Sequence, residues 1–200
     1  MIISDIYKYI YIAIPKTGTR SIYHILRKYY EGQLHNDHGT IIPITKRAYF
    51  TFTSIRNPYD RACSAYCSTC DIKTDQYRYK RIFKEQGLPN TFKSYLTLLS
   101  KGQGMIDTSY PQQRWFNNNR IDYIIRMEKF EDDIRCLPFI DHDIEIPKLN
   151  IGSKKDPPSM KSEDMLTDIT ISLINSIYKA DFNLGYPIVN NLNEFINKYY

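Results

Sequence analysis

The pattern of apolar and polar positions predicts buried strands that alternate with amphipathic helices. Residues 6–14 (IYKYIYIAI) are rich in Ile and Tyr and predict a buried strand, which Pro15 ends. A helix is predicted to begin at Thr19, because apolar residues then recur at helical spacing: Ile22, Ile25, Leu26, Tyr29 and Tyr30. A strand, a short loop and a helix form the first unit of an α/β fold.

A second unit of the same kind follows. Residues 48–55 (AYFTFTSI) have the β-branched and aromatic character of a strand, and Pro58 suits the first turn of a helix that runs to about residue 70. Further elements are predicted near 91–100 (helix), at 121–126 (strand), from about 128 (short helix) and over 163–179 (helix). This order predicts an α/β fold with a mainly parallel central sheet flanked by helices, in a single domain that spans residues 1–200. Ligands of such sheets bind at the carboxyl ends of the strands.

Composition and charge narrow the class of protein. The chain is 42% hydrophobic and 24% charged, which is typical of a soluble globular protein with a core. Its formal net charge of +5 suits an anionic ligand, but the basic residues are not concentrated as in a nucleic-acid-binding arm. No stretch approaches the roughly 20 apolar residues that span a bilayer, and the N-terminus lacks the pattern of a signal peptide. We therefore expect a cytoplasmic protein that binds neither membranes nor nucleic acid.

The loop after the first strand has the composition of an anion-binding site. It joins a strand to the start of a helix, where unpaired backbone N–H groups and the helix dipole stabilise an anion. Gly18 allows a close approach of the backbone, and hydroxyl and cationic side chains surround it: Lys16, Thr17, Thr19, Arg20 and Ser21. The loop lacks the G-x-x-x-x-G-K-[ST] spacing of nucleoside triphosphatases. A plain turn, with Thr19 or Ser21 as the N-cap of the helix, explains this loop equally well by itself.

The second strand ends in a second candidate anion site. Arg56 follows the strand directly, and a guanidinium can donate two N–H groups to one phosphate. Ser64, eight residues later, could add a hydroxyl from the following helix. The alternatives are a salt bridge between Arg56 and Asp60 and a serine selected for its size. Two anion sites at the ends of two strands suit a ligand with phosphates at both ends.

The motifs PKTGTRS and SIRNPYDRACSAY resemble those of the sulfotransferases that use 3′-phosphoadenosine 5′-phosphosulfate (PAPS). The resemblance is greatest to the branch that contains carbohydrate sulfotransferases and their bacterial and viral relatives. Four later segments resemble the family in the expected order: 110–116 (YPQQRWF), 121–128 (IDYIIRME), 150–154 (NIGSK) and 181–186 (DFNLGY). The first two motifs carry most of the weight, and the later ones add little individually.

The resemblance implies a sulfotransferase fold with a P-loop-like nucleotide site, and a reaction in which PAPS gives its sulfuryl group to a hydroxyl acceptor without a metal. A carbohydrate is the first expectation for the acceptor, with a protein tyrosine or a small alcohol as alternatives, and a microbial or viral origin is expected. Lys16, Thr17, Gly18, Thr19, Arg20 and Ser21 would contact the phosphosulfate. The 3′-phosphate would be bound by Arg56 and Ser64, and Ser153 and Lys154 would close over the nucleotide.

Sulfuryl transfer to an alcohol requires a base, and residues 35–40 (HNDHGT), between the two motifs, contain two of the four histidines. A neutral imidazole near pH 7 suits the task. Related enzymes have a His-small-Thr/Ser segment here, so His38 is the first candidate and His35 the second. The carboxylates Asp37 and Glu31 are further alternatives. Lys16 is the candidate partner of the leaving oxygen.

Two other classes of protein stay open. A nucleotide kinase would need Walker A spacing and a carboxylate for Mg²⁺, and neither is found. A non-catalytic module that binds PAP, the 3′,5′-bisphosphate product, would keep both anion sites and lack a base. Residues 112–115 could line the acceptor site, although Trp115 fits a core position equally well. Cys63, Cys67 and Cys70 recur at helical spacing, which favours packing over a four-ligand zinc site. No oligomeric state follows from the sequence.

Overall fold

The structure, a computed structural model, describes residues 1–36, 38–70, 77–116, 118–146 and 162–199. Five strands lie in these ranges: β1 Ile2–Ser4, β2 Tyr9–Ile12, β3 Gln33–Leu34, β4 Phe50–Ile55 and β5 Tyr123–Arg126. The described α-helices are α1 Thr19–Tyr29, α2 Pro58–Cys70, α3 Tyr77–Glu85, α4 Phe92–Ser100, α5 Phe130–Arg135, α6 Ser162–Met165, α7 Asp168–Ile177, α8 Lys179–Phe182 and α9 Leu192–Tyr199.

The chain divides into two compact units. The first unit contains Met1–Arg56 and Gln112–Ser153, and the second contains Asn57–Pro111 and Lys154–Tyr200. All five strands and the helices α1 and α5 belong to the first unit, whereas the second is helical where it is described. The organisation as one domain stays a prediction.

The five strands form one mixed sheet with the order β3-β1-β2-β4-β5. The β2–β4 and β4–β5 pairs are parallel, while β1 is antiparallel to both β2 and β3. The predicted α/β class is therefore confirmed. The prediction of a mainly parallel sheet is corrected, because two of the four strand pairings are antiparallel and both involve β1.

The additional strand arises from a hairpin that the sequence pattern conceals. The predicted strand 6–14 was wrong at its start, since the chain turns at residues 5–8 and Lys8 has a left-handed φ of 54°. The Tyr7 N–H donates to Ser4 Oγ at 3.1 Å within this turn. Ile6 is 70% exposed at the tip of the hairpin. Because isoleucine is common in strands, Ile6 was included in the predicted strand although its side chain is exposed to solvent.

The core of the first unit forms on both faces of β2. Successive strand residues point to opposite faces. Tyr9 and Tyr11 pack with buried residues of α1 and with Ile134 of α5, whereas Ile10 and Ile12 belong to a second, smaller cluster. The buried positions of α1 have the predicted spacing: Ile22, Ile25 and Leu26. This helix begins at Thr19 as predicted.

The second unit contains the remaining described helices. Its α2 packs against α3, α4, α6 and α7, and α4 packs against α7. The helix predicted over 163–179 is interrupted, because Thr167 caps α7 by accepting a hydrogen bond from the Thr170 N–H at 3.2 Å. None of the helices in the described ranges is long and apolar enough to cross a membrane.

Candidate functional site

The two candidate anion-binding loops lie at the same edge of the sheet in the first unit. Strands β2 and β4 are parallel neighbours, and Ile12 pairs with Thr53. The residues that follow, Lys16 on one loop and Arg56 on the other, therefore leave the carboxyl ends of adjacent strands. Ligands of α/β sheets bind at this edge.

A chain of buried hydroxyl groups joins the two strand ends. Ser54 Oγ lies 2.7 Å from Tyr11 OH and 2.7 Å from Thr17 Oγ1. Thr17 Oγ1 in turn donates to the Ile14 carbonyl at 2.8 Å. Each hydroxyl has one proton, so the direction of donation is from Tyr11 to Ser54 to Thr17. Burial raises the pKa of Tyr11, which keeps this donor protonated.

This network changes the expected role of Thr17. Its hydroxyl was expected to contact an anion, but the hydroxyl is fully buried and donates to the Ile14 carbonyl. A contact between Thr17 and an anion would therefore come from its backbone N–H. Elsewhere in the loop, Lys16 and Thr19 are half-buried, Arg20 is exposed and Ser21 is buried.

The backbone of the first loop is left-handed at two positions. Lys16 has a φ of 69°, and Gly18, the N-cap of α1, has a φ of 72°. No side chain caps the described start of α1, and its first turn has no acidic residue. The alternative in which Thr19 or Ser21 caps the helix is therefore wrong. A Cβ at position 18 would lie 2.5 Å from Met127 Sδ, so a larger residue would require the Met127 side chain to move and would also strain the left-handed backbone.

The second loop is fixed by a side chain from a distant part of the sequence. The Arg56 N–H donates to Gln112 Oε1 at 2.8 Å, and Gln112 Nε2 donates to the Arg56 carbonyl at 2.8 Å. Gln112 is fully buried, whereas Arg56 is half-buried. The suggestion that Gln112 lines the acceptor site is therefore corrected. Its role depends on a contact between residues 56 positions apart, which no local pattern signals.

His38 lies beside the end of β2. Its Nδ1 is 2.9 Å from the Ala13 carbonyl oxygen. A carbonyl only accepts hydrogen bonds, so Nδ1 carries the proton and Nε2 is the basic nitrogen of the neutral ring. The imidazole also packs near Trp115, with ring centroids 6.0 Å apart. Trp115 is buried, as a core position requires.

Backbone strain occurs at three of the candidate residues: Lys16, His38 and the alternative base Glu31. Among the described residues, five other than glycine have a left-handed φ, and these are three of them. This conformation costs a non-glycine residue about 1–2 kcal/mol. Strained backbone of this kind clusters at functional sites. Of the three, Lys16 and His38 lie at the edge of the sheet where the two loops leave it, whereas Glu31 is exposed beyond the end of α1.

The other candidate residues are not placed with Lys16, Arg56 and His38 at the carboxyl edge of β2 and β4. His35 is exposed, and its backbone N–H donates to the Met1 carbonyl at 3.1 Å. Glu31 is exposed too. Ser64 lies half-buried on α2 in the second unit. Asp37, Ser153 and Lys154 lie outside the described residues.

Three cysteines of the described ranges form no disulfide bond there. Cys63 is buried, Cys67 is half-buried and Cys136 is exposed. Cys67 contacts Met165 of the second unit, with their sulfur atoms 4.0 Å apart. Among the residues that the structure describes, no group of three or more His, Cys, Asp or Glu side chains could hold a metal ion.

A cavity of about 510 Å³ lies towards the opposite end of β4. Asn119, on its wall, donates from Nδ2 to the Thr40 carbonyl at 2.7 Å, so this wall meets the segment that follows His38. The residues that line the cavity are Ile41, Ile42, Arg47, Thr51, Asn118, Asn119 and Arg120. Its mixture of amides, guanidinium groups and apolar surface differs from the hydroxyl-rich first loop.

A cationic loop at a helix start, an arginine at the neighbouring strand end and a basic imidazole are typical of α/β enzymes that act on anionic donors. The chain belongs to the sulfotransferase family, since the model of that family matches residues 1–186. No curated protein and no solved structure matches the chain. The expected membership of the sulfotransferase family is thereby confirmed. Membership implies a transferase that moves a sulfuryl group.

Proposed function

We propose that the protein transfers a sulfuryl group from PAPS to a hydroxyl of a carbohydrate and releases PAP. The observation that carries the proposal is the position of Lys16, Arg56 and His38, which all lie at the carboxyl edge of β2 and β4 in one unit. A cation for the leaving group, a cation for a second phosphate and a base are the three groups that this reaction requires.

The donor set of the two loops suits the two ends of PAPS. The start of α1 and the Lys16 ammonium favour the 5′-phosphosulfate, because backbone N–H groups and positive charge both stabilise an anion. Arg56 would bind the 3′-phosphate. Ser64, Ser153 and Lys154 are proposed as additional nucleotide contacts on the strength of the family motifs alone.

The reaction is a direct displacement at sulfur. The acceptor oxygen forms a bond to sulfur while the bond from sulfur to the bridging phosphate oxygen breaks, and PAP leaves. His38 Nε2 accepts the proton of the acceptor hydroxyl, and Lys16 donates to the departing oxygen. A sulfuryl group carries less charge than a phosphoryl group, so cationic side chains suffice as partners. Arg56 positions the nucleotide and does not take part in the bond changes.

The acceptor hydroxyl is proposed to lie beside His38 at the carboxyl edge of the sheet, with the rest of the saccharide extending along residues 38–40 towards the cavity. Asn118 and Asn119 supply amide groups for sugar hydroxyls, and Ile41 offers an apolar surface for the face of a ring. An acceptor panel tests this proposal with labelled PAPS: oligosaccharides, a tyrosine peptide and small alcohols. Transfer to the peptide with none to any saccharide would contradict it.

Binding of PAP tests the donor. A ligand that binds only the folded state raises its stability, by about 2.7 kcal/mol at 100 times the dissociation constant. We expect PAP to raise the melting temperature, with little response to ATP or NAD. A response to ATP and none to PAP would favour a nucleotide kinase. A response to PAP without transfer to any acceptor would favour the non-catalytic module.

A further inference from the structure

We propose that the 3₁₀-helix Gln112–Phe116 is the positioning element of the site, in which Gln112 orients Arg56 for the 3′-phosphate and Trp115 orients His38 for the acceptor. The proposal rests on the proposed function, since it assigns roles to two residues that support its nucleotide and base sites. Neither residue touches the reacting atoms.

Gln112 supplies the backbone hydrogen bonds that a neighbouring strand would otherwise make with Arg56. The pairing of β4 with β5 ends at Ile55 and Arg126, so Arg56 lies one residue beyond the ladder. Its N–H and carbonyl would otherwise lack the partners that buried backbone groups require. The amide of Gln112 supplies both, at 2.8 Å each, and so imitates the peptide group of a neighbouring strand.

These two hydrogen bonds restrict the backbone of Arg56 before a ligand arrives. A side chain that leaves a fixed backbone loses less conformational freedom when it binds, which favours affinity. Gln112 is fully buried, so the restraint is shielded from competing water. The expected consequence is tighter binding of the 3′-phosphate alone, because this is the group that Arg56 is proposed to bind.

Trp115 acts on the other partner of the reaction. In a 3₁₀-helix, residues three apart lie on the same side, and Trp115 follows Gln112 by three positions. Its buried ring packs near the imidazole of His38, whose Nδ1 is bonded to Ala13. The indole and the carbonyl together restrict the rotation of the imidazole, and so direct its Nε2.

The experiment compares PAP with AMP, which differs only by the absence of the 3′-phosphate. Gln112→Met keeps the length of the side chain and removes both hydrogen bonds. We expect the dissociation constant of PAP to rise about tenfold or more, equivalent to about 1.4 kcal/mol, while that of AMP stays unchanged. Gln113→Met, the same change at the exposed neighbouring position, is the matched control and should change neither constant.

Trp115→Phe should give the opposite pattern. We expect a lower kcat and an altered pH profile of kcat, with the dissociation constant of PAP unchanged. Adding Gln112→Met to Arg56→Ala should not weaken PAP binding further, because Gln112 acts through Arg56. Equal losses for PAP and AMP in Gln112→Met, or a Trp115→Phe enzyme with normal kcat and pH profile, would overturn the proposal.

A measurement on the unaltered protein covers the case in which the variants do not fold. The side-chain amide signals of Gln112 in an NMR spectrum should shift with PAP and not with AMP. Identical responses to both ligands would contradict the role of Gln112. If the unaltered protein bound neither PAP nor PAPS, the proposed function itself would fail, and this result is distinct from the others.

Discussion

The two anion-binding loops at the edge of the sheet are constructed in different ways. The loop after β2 is shaped by its own backbone, with left-handed residues at Lys16 and Gly18 and the start of α1 directly behind them. The loop after β4 depends on Gln112, which lies 56 positions away in the sequence and bonds to both backbone groups of Arg56. The first loop is shaped mainly by its local backbone, with one buried hydrogen bond to Ser54 of β4, whereas the second depends on Gln112.

Because the two loops are proposed to contact different parts of the donor, substitutions in one should change the rate and substitutions in the other should change the affinity. The first loop lies beside His38 and bears the cation proposed for the leaving group, so its changes should act mainly on kcat. The second loop is proposed to bind a phosphate remote from the reacting sulfur, so its changes should act mainly on the binding of the nucleotide.

The largest effect is expected beside the first loop, at the base. His38→Ala should lower kcat by about 10²–10⁴-fold, because a positioned base contributes this much. The dissociation constant of PAP should remain unchanged, as measured by calorimetry. His35→Ala, the exposed second candidate, is the matched control. Loss of turnover in the His35 variant with normal turnover in the His38 variant would reverse the assignment.

Lys16→Met should reduce kcat by about 10²–10³-fold, since it removes the positive charge beside the leaving oxygen. Single-turnover transfer from labelled PAPS measures the effect on the chemical step. Arg27→Met removes an exposed charge from α1 and should leave the rate near normal. An equal effect of the two substitutions would indicate a general influence of charge and not a contact at the loop.

Arg56→Ala tests the second loop. We expect the affinity for PAP to fall about 10- to 100-fold, because hydrogen bonds to charged groups contribute about 1.5–3 kcal/mol. Binding of AMP, which lacks the 3′-phosphate, should be unaffected. If Arg56→Ala weakened AMP as strongly as PAP, the two loops would not divide the ligand as proposed.

Gly18→Ala tests how the first loop is shaped. The left-handed φ of 72° and the Met127 side chain should together lower the free energy of unfolding by about 1–3 kcal/mol. Denaturant titration measures this loss. Adding Met127→Ala to Gly18→Ala should remove the steric part and leave the cost of the backbone conformation. Failure of the double variant to differ from Gly18→Ala in this way would contradict the predicted clash.

The smallest effect is expected at the far end of β4. Burial acts to raise the pKa of Asp122, but hydrogen bonds from the Thr51 N–H and from Arg120 outweigh it and hold the pKa below 3.8. A carboxyl group whose pKa is lower in the folded state than in the unfolded state stabilises the fold at pH values above its ordinary pKa. This contribution to stability is lost as the pH falls through the pKa of the folded state.

Asp122→Asn should therefore make the stability less dependent on pH below about 4. Urea unfolding at several acidic pH values measures this dependence. Asp143→Asn, at an exposed position, serves as the control. A steeper acid dependence in the Asp122 variant would show that the sign is wrong.

The sequence predicts the local parts of the molecule and misses the parts that depend on distant contacts. The strand, loop and helix around Gly18 follow from periodicity and composition within a short segment. The hairpin at β1 was missed because Ile6, exposed at its tip, has the character of a strand residue. The break in the helix predicted over 163–179 coincides with two reciprocal hydrogen bonds between Thr167 and Thr170 that cap α7.

The candidate site shows the same division. Lys16, Arg56 and His38 were identified from motifs, and the structure places them at one edge of the sheet. The buried hydrogen bonds of Gln112 to Arg56 and of Thr17 to Ser54 were not predicted, because each partner lies on another strand or segment. A side chain that bonds to a remote backbone leaves no periodic signal in the sequence.

The hydroxyl chain between the strand ends has a consequence for substitution at position 54. Ser54 gives its single proton to Thr17 and accepts that of Tyr11, so its hydrogen-bonding capacity serves both neighbours. Alanine at position 54 would leave the buried hydroxyl of Tyr11 without its acceptor and the buried hydroxyl of Thr17 without its donor. In related sequences, Tyr11, Thr17 and Ser54 are therefore expected to be replaced together and not one at a time.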